Sequence, residues 1–299
     1  MIKRILKSIL PPLASQSLKK TWGRIFLTGD RLAGALINTL PGRTRLFLKS
    51  RICLTRRMDF SKRDIYLYVD SDIEYDTRLR SCAKEPEMEE WFGKFFKEGD
   101  VFFDIGANVG SYSLMAAKLL DGRIKVYAFE PGFLNYAQLN RNIYLNGCQD
   151  CVTALPVALS DGTALSTFNY SNLVCGGANH ALGDSVDYKG DAFSPVFRQL
   201  LLSYRLDDLI ELFHLPYPQH IKIDVDGIEF SVLKGSQKTL GNSACRSLML
   251  EINEGGPFFK DTVAFLSSRG LMVHAKYKYN EGGDGGPVSL LFNYLFLKK

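Results

Sequence analysis

The sequence lacks the features of a membrane-spanning or an extracellular disulfide-bonded protein. Its longest uncharged runs, such as residues 32–42, are too short to cross a bilayer. Residues 1–10 alternate lysine and arginine with apolar residues and contain no apolar core segment, so no secretory signal peptide is predicted. The six cysteines follow no disulfide framework and fit a reducing compartment. We therefore expect a cytoplasmic protein.

Metal-binding patterns are also missing. Cys148 and Cys151 form a Cys-x-x-Cys pair, but no second pair accompanies it and no histidine is near it in the sequence. Because a structural metal site uses about four ligands, we interpret the pair as two small apolar residues beside a turn. No resident metal is predicted.

The glycine fingerprint of dinucleotide-binding enzymes is absent as well. After the buried strand predicted at residues 101–105, the fingerprint would place glycines at positions 106, 108 and 111. The chain has Gly106, Asn108 and Ser111 at these positions. A nicotinamide-dependent oxidoreductase is therefore disfavoured.

The chain does have a strand, a glycine turn and a helix in succession. Asp104, Gly106 and Gly110 give the spacing Asp-x-Gly-x-x-x-Gly, and helix-spaced apolar residues follow as far as residue 120. Glycines let backbone N–H groups approach a ligand, and a helix N-terminus favours negative charge. Glu130 follows the next predicted strand, where a carboxylate can accept both hydroxyls of a ribose. This combination predicts a cradle for a nucleoside-containing cofactor.

Strands and helices alternate along most of the chain. The predicted strands are residues 65–69, 101–105, 124–129, 152–159, 221–225, 248–252, 271–277 and 290–297, and the predicted helices are residues 111–120, 133–146, 206–213, 230–240 and 258–269. This order predicts an α/β fold with a doubly wound, Rossmann-like, mostly parallel sheet and a terminal antiparallel strand. Residues 163–204 break the rhythm and are interpreted as an irregular insertion that serves as a substrate loop or lid.

The N-terminal part of the chain is strongly basic. Residues 1–63 contain fifteen lysines and arginines against two aspartates, a net charge of 15 − 2 = +13, so the remainder carries 5 − 13 = −8. Residues 1–10 and 18–26 have the pattern of basic amphipathic helices. We predict a basic helical extension over residues 1–70 and a catalytic domain over residues 71–299. The extension is either an anchor at the anionic inner face of a membrane or a cap packed on the catalytic domain.

The segments of the predicted catalytic domain resemble the FkbM family of S-adenosylmethionine-dependent O-methyltransferases over roughly residues 78–297. Residues 221–229, Ile-Lys-Ile-Asp-Val-Asp-Gly-Ile-Glu, are the most specific match, although members usually carry glutamate where Asp226 stands. Further matches are residues 84–87, 103–110, 129–131, 139–146 and 158–161.

The resemblance implies transfer of a methyl group from S-adenosylmethionine to a hydroxyl. The expected acceptor is a sugar, for example in a glycan or a lipid-linked sugar, and a polyketide-like small molecule is the alternative. A non-catalytic, membrane-associated scaffold that binds the cofactor is a second alternative. The target-base motif of the Asn/Asp-Pro-Pro-Tyr/Phe kind is missing at residues 224–227, so no nucleic-acid acceptor is expected.

The same resemblance implies roles for the cofactor-binding residues. Asp104 and the turn of Gly106, Asn108 and Gly110 are expected to hold the methionine and ribose ends, and Glu130 the ribose diol. Asp161, with Ser160 beside it, follows the third strand, where methyltransferases contact the adenine amine. Asp161 and the glycine after it could equally form only a turn.

Three residues are candidates for the catalytic acid or base. Asp224 follows the fourth strand of the core and is interpreted either as the general base for the acceptor hydroxyl or as an electrostatic contact to the cofactor. Glu251 at the tip of the fifth strand and His180 in the insertion are the other candidates. Asp226 and Glu229 have the spacing of a helix capping box. A divalent ion held by these carboxylates is the less favoured alternative.

Overall fold

The computed structural model describes residues 33–186, 190–278 and 290–299. The chain divides into two compact units, Met1–Thr55 and Arg56–Lys299. Residues 33–39 are helical, and helix α1 (Gly42–Arg51) follows Pro41. The predicted helices at residues 1–10 and 18–26 lie outside the described residues. The division between the units lies N-terminal to the predicted boundary at residue 70, and the role of the extension stays a prediction.

The strands and helices of the described chain alternate through most of the second unit. After the two-stranded sheet of β1 (Thr55–Arg57) and β2 (Tyr66–Tyr68), the strands are β3 (Val101–Ile105), β4 (Lys125–Phe129), β5 (Val152–Leu155), β6 (Ala158–Leu159), β7 (Ala164–Tyr170), β8 (Ala181–Leu182), β9 (Phe197–Tyr204), β10 (His220–Ile223), β11 (Ser247–Asn253), β12 (Leu271–Lys278) and β13 (Leu291–Lys298). The α-helices are α2 (Asp72–Asp76), α3 (Ser81–Lys84), α4 (Pro86–Phe95), α5 (Ser111–Leu119), α6 (Phe133–Leu145), α7 (Leu206–Phe213), α8 (Glu229–Gly235), α9 (Gln237–Gly241) and α10 (Phe259–Ser267).

A seven-stranded sheet forms the centre of the second unit, in the order β12-β13-β11-β10-β3-β4-β5. The five strands from β11 to β5 are parallel, whereas β13 runs antiparallel to both of its neighbours, β11 and β12. The predicted fold class, a doubly wound and mostly parallel sheet with a terminal antiparallel strand, is therefore confirmed. The carboxyl ends of the parallel strands share one edge, where ligands bind in folds of this kind.

The core explains why the strands read as apolar runs. All five residues of β3 and all four of β10 are buried, as expected for parallel strands that are covered by helices on both faces. On one face, Trp91 and Phe92 of α4 pack against Phe102 of β3 with ring centroids 5.8 and 5.7 Å apart. Among the described residues, no helix is long and apolar enough to cross a membrane.

The structure corrects the prediction for residues 163–204. This segment is not irregular, because β7 and β9 pair along their full length and form a four-stranded sheet in the order β6-β9-β7-β8. Its inner face carries a small apolar core of Phe168, Tyr170 and Leu201. The predicted strand at residues 152–159 is divided into β5 and β6, and the predicted helix at residues 230–240 is divided into α8 and α9.

Candidate active site

A cavity of about 420 Å³ opens at the carboxyl ends of β3, β4, β10 and β11. Its volume lies in the range of roughly 300–1,000 Å³ that is typical of small-molecule sites. Beside the strand tips, two other parts of the chain form its walls. One is the upstream segment, residues 71–95, and the other is the crossing loop, residues 171–180.

The glycine turn after β3 has a backbone that only glycine can supply at its first position. Gly106 has φ +82°, and a Cβ atom there would lie 1.8 Å from the carbonyl oxygen of Asp224. Gly110 also has positive φ, at +90°, and begins α5, where a Cβ atom would lie 2.5 Å from a methyl carbon of Leu139. Gly106 and Asn108 line the cavity, whereas Gly110 does not and packs against Leu139 instead.

Glu130 lies at the tip of β4 and lines the cavity, although only 5% of it is exposed. One carboxylate oxygen accepts the N–H of Asn108 and the other accepts the N–H of Gly132, each at 2.8 Å. Burial raises the pKa of Glu130 to about 7, against the opposing effect of these two N–H groups. A carboxylate has about four lone-pair sites, so both oxygens retain capacity for further hydrogen bonds.

Asp104 is fully buried beneath the turn and does not line the cavity. One of its oxygens accepts the hydroxyl of Ser113 at 2.6 Å, and the other has no hydrogen-bond partner. Burial raises the pKa of this carboxyl, and the Lys222 ammonium opposes the rise. The structure therefore gives Asp104 a position below the cradle, in contact with α5, rather than at its surface.

Asp224 directly follows β10, and Glu251 lies near the end of the neighbouring strand β11. Both residues line the cavity. Burial favours the neutral form of Asp224, but the Lys222 ammonium, 2.8 Å from the carboxylate, acts together with Lys84 and Arg78 to keep the pKa below its ordinary value. Burial, followed by repulsion from Asp224 and Glu85, raises the pKa of Glu251 well above its ordinary value. The pKa values of two neighbouring carboxyl groups are thus shifted in opposite directions, the arrangement that assigns an acid and a base.

The capping box that the spacing of Asp226 and Glu229 suggested is not formed, because the cap position before α8 is Ile228 and no side chain makes a capping hydrogen bond there. Glu229 begins α8 and reaches back to accept the N–H of Gly227 at 2.9 Å. Asp226 has φ +57° and turns away from the helix, so its carboxylate accepts the N–H of Asn179 in the crossing loop at 2.7 Å. Burial raises the pKa of Asp226 to about 6 and that of Glu229 to about 7.

His180 belongs to the crossing loop and lines the cavity. Its Nδ1 accepts the N–H of Ser171 at 3.3 Å, and its ring packs 5.0 Å from the ring of Tyr170. Burial, aided by the charge of Arg78, lowers the pKa of His180 to about 4. The imidazole is therefore neutral at physiological pH.

Ser160 and Asp161 are not among the residues that line the cavity. Asp161 forms an ion pair with Lys234 of α8 at the surface, and both side chains are more than 40% exposed. The Ser160 carbonyl packs so closely against Gly235 that a Cβ atom at position 235 would lie 2.0 Å from the carbonyl oxygen. The apolar wall near β6 is formed instead by Val157, Ala158 and Leu159, with Phe129 and Phe168.

Sequence reasoning missed the charged residues that the upstream segment brings to the cavity. Arg78 lines the cavity and donates Nε and Nη2 to the carbonyl of Gly176, at 3.1 and 2.8 Å, which fixes the crossing loop. Lys84 lines the cavity as well and pairs with Glu85 at 2.8 Å. The only signal for Lys84 was its place in a family motif, and no spacing pointed to Arg78.

Among the described residues, no group of three or more His, Cys, Asp or Glu side chains could hold a metal ion. Cys148 is buried and Cys151 half-buried, and the Cys151 thiol donates to the Cys148 carbonyl at 3.4 Å.

Comparison with known proteins adds the family to this geometry. The family model described as "Methyltransferase FkbM domain" matches residues 104–273, more than half of the chain. The chain belongs to this family. The predicted family, the methyltransferase class and the S-adenosylmethionine cofactor are thereby confirmed at the level of the family.

Individual relatives are more distant. Hexuronic acid methyltransferase AglP from Haloferax volcanii is 25% identical over 178 residues, which are 60% of this chain and 66% of that protein. Methyltransferase sdnD from Sordaria araneosa is 29% identical over 152 residues, 44% of this chain and 58% of that protein. The solved structure of methyltransferase FkbM from Methylobacillus flagellatus KT superposes with a TM-score of 0.47 at 16% identity, covering 69% of this chain and 45% of that one. Each match spans less than two thirds of the relative.

The cavity fits the cofactor of the family. Position 106 requires glycine, because any side chain there would collide with the carbonyl of Asp224 directly after β10. Without a side chain, the backbone of the turn can approach a ligand. The Glu130 carboxylate is held rigidly by two N–H groups and can accept a diol. The apolar side chains Phe129, Leu159 and Phe168 provide a wall suited to a purine ring.

Proposed function

We propose that this chain transfers the methyl group of S-adenosylmethionine to a hydroxyl of a sugar. The observation that carries the proposal is that Asp224 and Glu251, whose pKa values are shifted in opposite directions, line the same cavity as Glu130. Similarity to a hexuronic acid methyltransferase supports a sugar acceptor. Polar and charged side chains share this cavity with an apolar wall, and such a combination can orient a small substrate.

In the proposed binding mode, Glu130 accepts the ribose hydroxyls and the turn of Gly106 and Asn108 packs against the sugar and the methionine end. When bound, S-adenosylmethionine supplies an electrophilic methyl group on a positively charged sulfur. Phe129 and Leu159 would lie against the base and exclude water. Arg78 fixes the crossing loop over the cavity, which keeps the acceptor aligned and shielded from solvent.

Asp224 is the proposed general base. An aliphatic hydroxyl is a poor nucleophile, so a base within hydrogen-bond reach must take its proton as the new bond to carbon forms. Asp224 suits this role because Lys222 keeps its carboxylate ionised. Glu251, whose pKa burial raises well above its ordinary value, is the proposed donor of a hydrogen bond that orients a second oxygen of the acceptor.

The test is incubation of the full-length protein with methyl-labelled S-adenosylmethionine and a panel of acceptors. The panel contains hexuronic acids, neutral sugars and hydroxylated polyketides, and mass spectrometry detects one added methyl group. We expect transfer to a sugar. Transfer to polyketides alone would replace the proposed acceptor, and cofactor binding without transfer to any hydroxyl would favour the scaffold.

We also propose that the basic N-terminal extension contacts an anionic membrane at the periphery of the cytoplasm. Support comes from the charge of +13 over residues 1–63 and the amphipathic pattern of residues 1–10 and 18–26. Deletion of residues 1–27 should release the protein from anionic liposomes and leave cofactor affinity intact. Salt should weaken binding of the full-length chain, because surface charges are screened within about 8 Å at physiological ionic strength. Full-length protein that ignores such liposomes at low salt would support the structural cap.

A further inference from the structure

Strand β10 contains a lysine in the interior of the sheet. Only 3% of Lys222 is exposed, although lysine is almost never buried to this degree without an ionic partner. In the sheet register Lys222 lies beside Asp104 of β3. Its Nζ is 2.8 Å from Oδ2 of Asp224, the residue that directly follows the end of β10. One ammonium group is thus set between two carboxylates.

The two carboxylates differ in what they can reach. Asp104 is enclosed, with one oxygen on the Ser113 hydroxyl and the other without a hydrogen-bond partner. The side chain of Asp224 is 30% exposed and lines the cavity. The ammonium itself lies 5.0 Å from the ring of Tyr112, which closes the other side. Of Asp104, Lys222 and Asp224, only Asp224 is partly exposed and lines the main cavity.

We propose that Lys222 is a positioning residue for methyl transfer, whose buried ammonium holds the Asp224 carboxylate ionised and fixed in direction toward the acceptor. This inference rests on the proposed function, in which Asp224 takes the proton of the acceptor hydroxyl. Lys222 does not itself need to touch the acceptor. Its effect passes through the 2.8 Å contact to Asp224.

Other charged groups also act on Asp224, and they do not replace Lys222. Lys84 and Arg78 from the upstream segment stabilise its negative charge, but less strongly than Lys222 does. The acidic groups that repel the Asp224 carboxylate are Asp226 and Glu229 after β10, Glu251 of β11 and Asp104 of β3. Because so many carboxyl groups surround Asp224, removal of the nearest ammonium should raise its pKa.

The alternative is that Lys222 only neutralises Asp104 and holds the sheet together. The two roles differ in their effect on the pH dependence of the reaction. A purely structural lysine would change the melting temperature and the amount of active protein, but not the ionisation of the base. A positioning lysine sets the pKa of the base, and an opposite charge at such a distance is worth roughly 1–3 pKa units.

The experiment measures kcat at saturating cofactor and acceptor from about pH 3 to 9. The variants are Lys222→Met, which removes the charge, and Lys222→Arg, which keeps it. Lys238→Met is the matched control, because Lys238 is 71% exposed and pairs at 3.4 Å with a surface glutamate. We expect the acid limb of Lys222→Met to move to higher pH by about one unit or more, and its maximal rate to fall roughly tenfold to a hundredfold through misalignment.

Lys222→Arg should restore the position of the acid limb even if its rate is lower, and Lys238→Met should behave as wild type. An unmoved limb in folded Lys222→Met would overturn the proposal. If wild type transfers no methyl group to any acceptor, the proposed function fails, and the pairing is then judged by stability alone.

If Lys222→Met does not fold, stability tests the coupling of Lys222 with Asp224 that the proposal requires. The double variant Lys222→Met/Asp224→Asn removes both partners of that contact, whereas the single variant leaves the partly buried Asp224 carboxylate without its nearest counter-ion. We expect the double variant to recover most of the melting temperature lost by Lys222→Met. A double variant that is as unstable as the sum of its single changes would show that the two side chains are not coupled.

Discussion

Replacement of Glu130 by alanine tests the ribose contact at the tip of β4. The carboxylate is 5% exposed and is held by the N–H groups of Asn108 and Gly132, each at 2.8 Å, so its direction is fixed before any ligand binds. A bidentate hydrogen bond to a charged group is worth about 1.5–3 kcal/mol. The dissociation constant for S-adenosylhomocysteine, the demethylated product, should therefore rise roughly tenfold to a hundredfold, as measured by calorimetry.

A ligand lacking both ribose hydroxyls separates this contact from general damage to the site. Wild type should bind the dideoxy product more weakly than the normal product by a similar factor, whereas Glu130→Ala should bind the two equally. Glu211→Ala is the control, because its side chain is 76% exposed and pairs only with a surface lysine in the described structure. Equal affinities of wild type and folded Glu130→Ala for the normal product would refute the assignment.

The pH dependence gives the same contact a second check. Burial raises the pKa of Glu130 to about 7, so the carboxylate is largely protonated below that pH and accepts hydroxyl donors less well. Cofactor affinity of wild type should therefore rise as the pH increases from about 6 to 8. Glu130→Ala should show no such rise. The same shift implies that ionisation of this buried group disfavours the folded state as the pH rises from about 4.5 to 7.

Three further predictions concern the turn, the base and the buried core. Gly106→Ala should abolish cofactor binding, because its Cβ would lie 1.8 Å from the Asp224 carbonyl, whereas Gly147→Ala, with φ +64° and nothing within 4 Å, should lose only about 1 kcal/mol in thermal unfolding. Asp224→Asn should lower the saturated rate roughly a hundredfold to ten-thousandfold with cofactor affinity nearly unchanged; normal affinity with a normal rate would remove Asp224 as the base. Burial lowers the pKa of His220 to about 4. Below about pH 6.5 the unfolded chain therefore binds a proton at this residue, whereas the folded protein does not bind it until about pH 4. Calorimetric stability should fall by up to about 3 kcal/mol between pH 6.5 and 4, and His220→Gln should flatten that dependence.

The candidate residues that line the cavity could be predicted from local geometry. Gly106 and Glu130 could be found because each immediately follows a parallel strand, and such strands end at a common edge. Asp224 was found for the same reason. Ser160 and Asp161 follow β6 instead, a separate strand in a second sheet, and the surface pair with Lys234 holds the aspartate away from the cavity.

The second sheet was missed because its pattern of exposure is inverted. In β9, the outward-facing Leu200 and Leu202 are 66% and 49% exposed, whereas the polar residue Ser203 is buried. Alternation of apolar and polar residues normally marks the inner and outer faces of a strand, so this strand carries the wrong signal. Arg78 was missed for a different reason, since its contact with Gly176 joins positions 98 residues apart and follows from no local rule.

The region that matches the family, residues 104–273, stops short of the elements that complete the cavity wall. Arg78 and Lys84 precede it, and Leu291 of β13 follows it, yet all three line the cavity. Under the proposed function, the shared region would hold the cofactor, and Arg78, Lys84 and Leu291 at its borders would face the acceptor. Substitutions at these border positions would then change which acceptor is bound while the donor site is left intact, so a related chain could acquire a new acceptor without rebuilding its cofactor site.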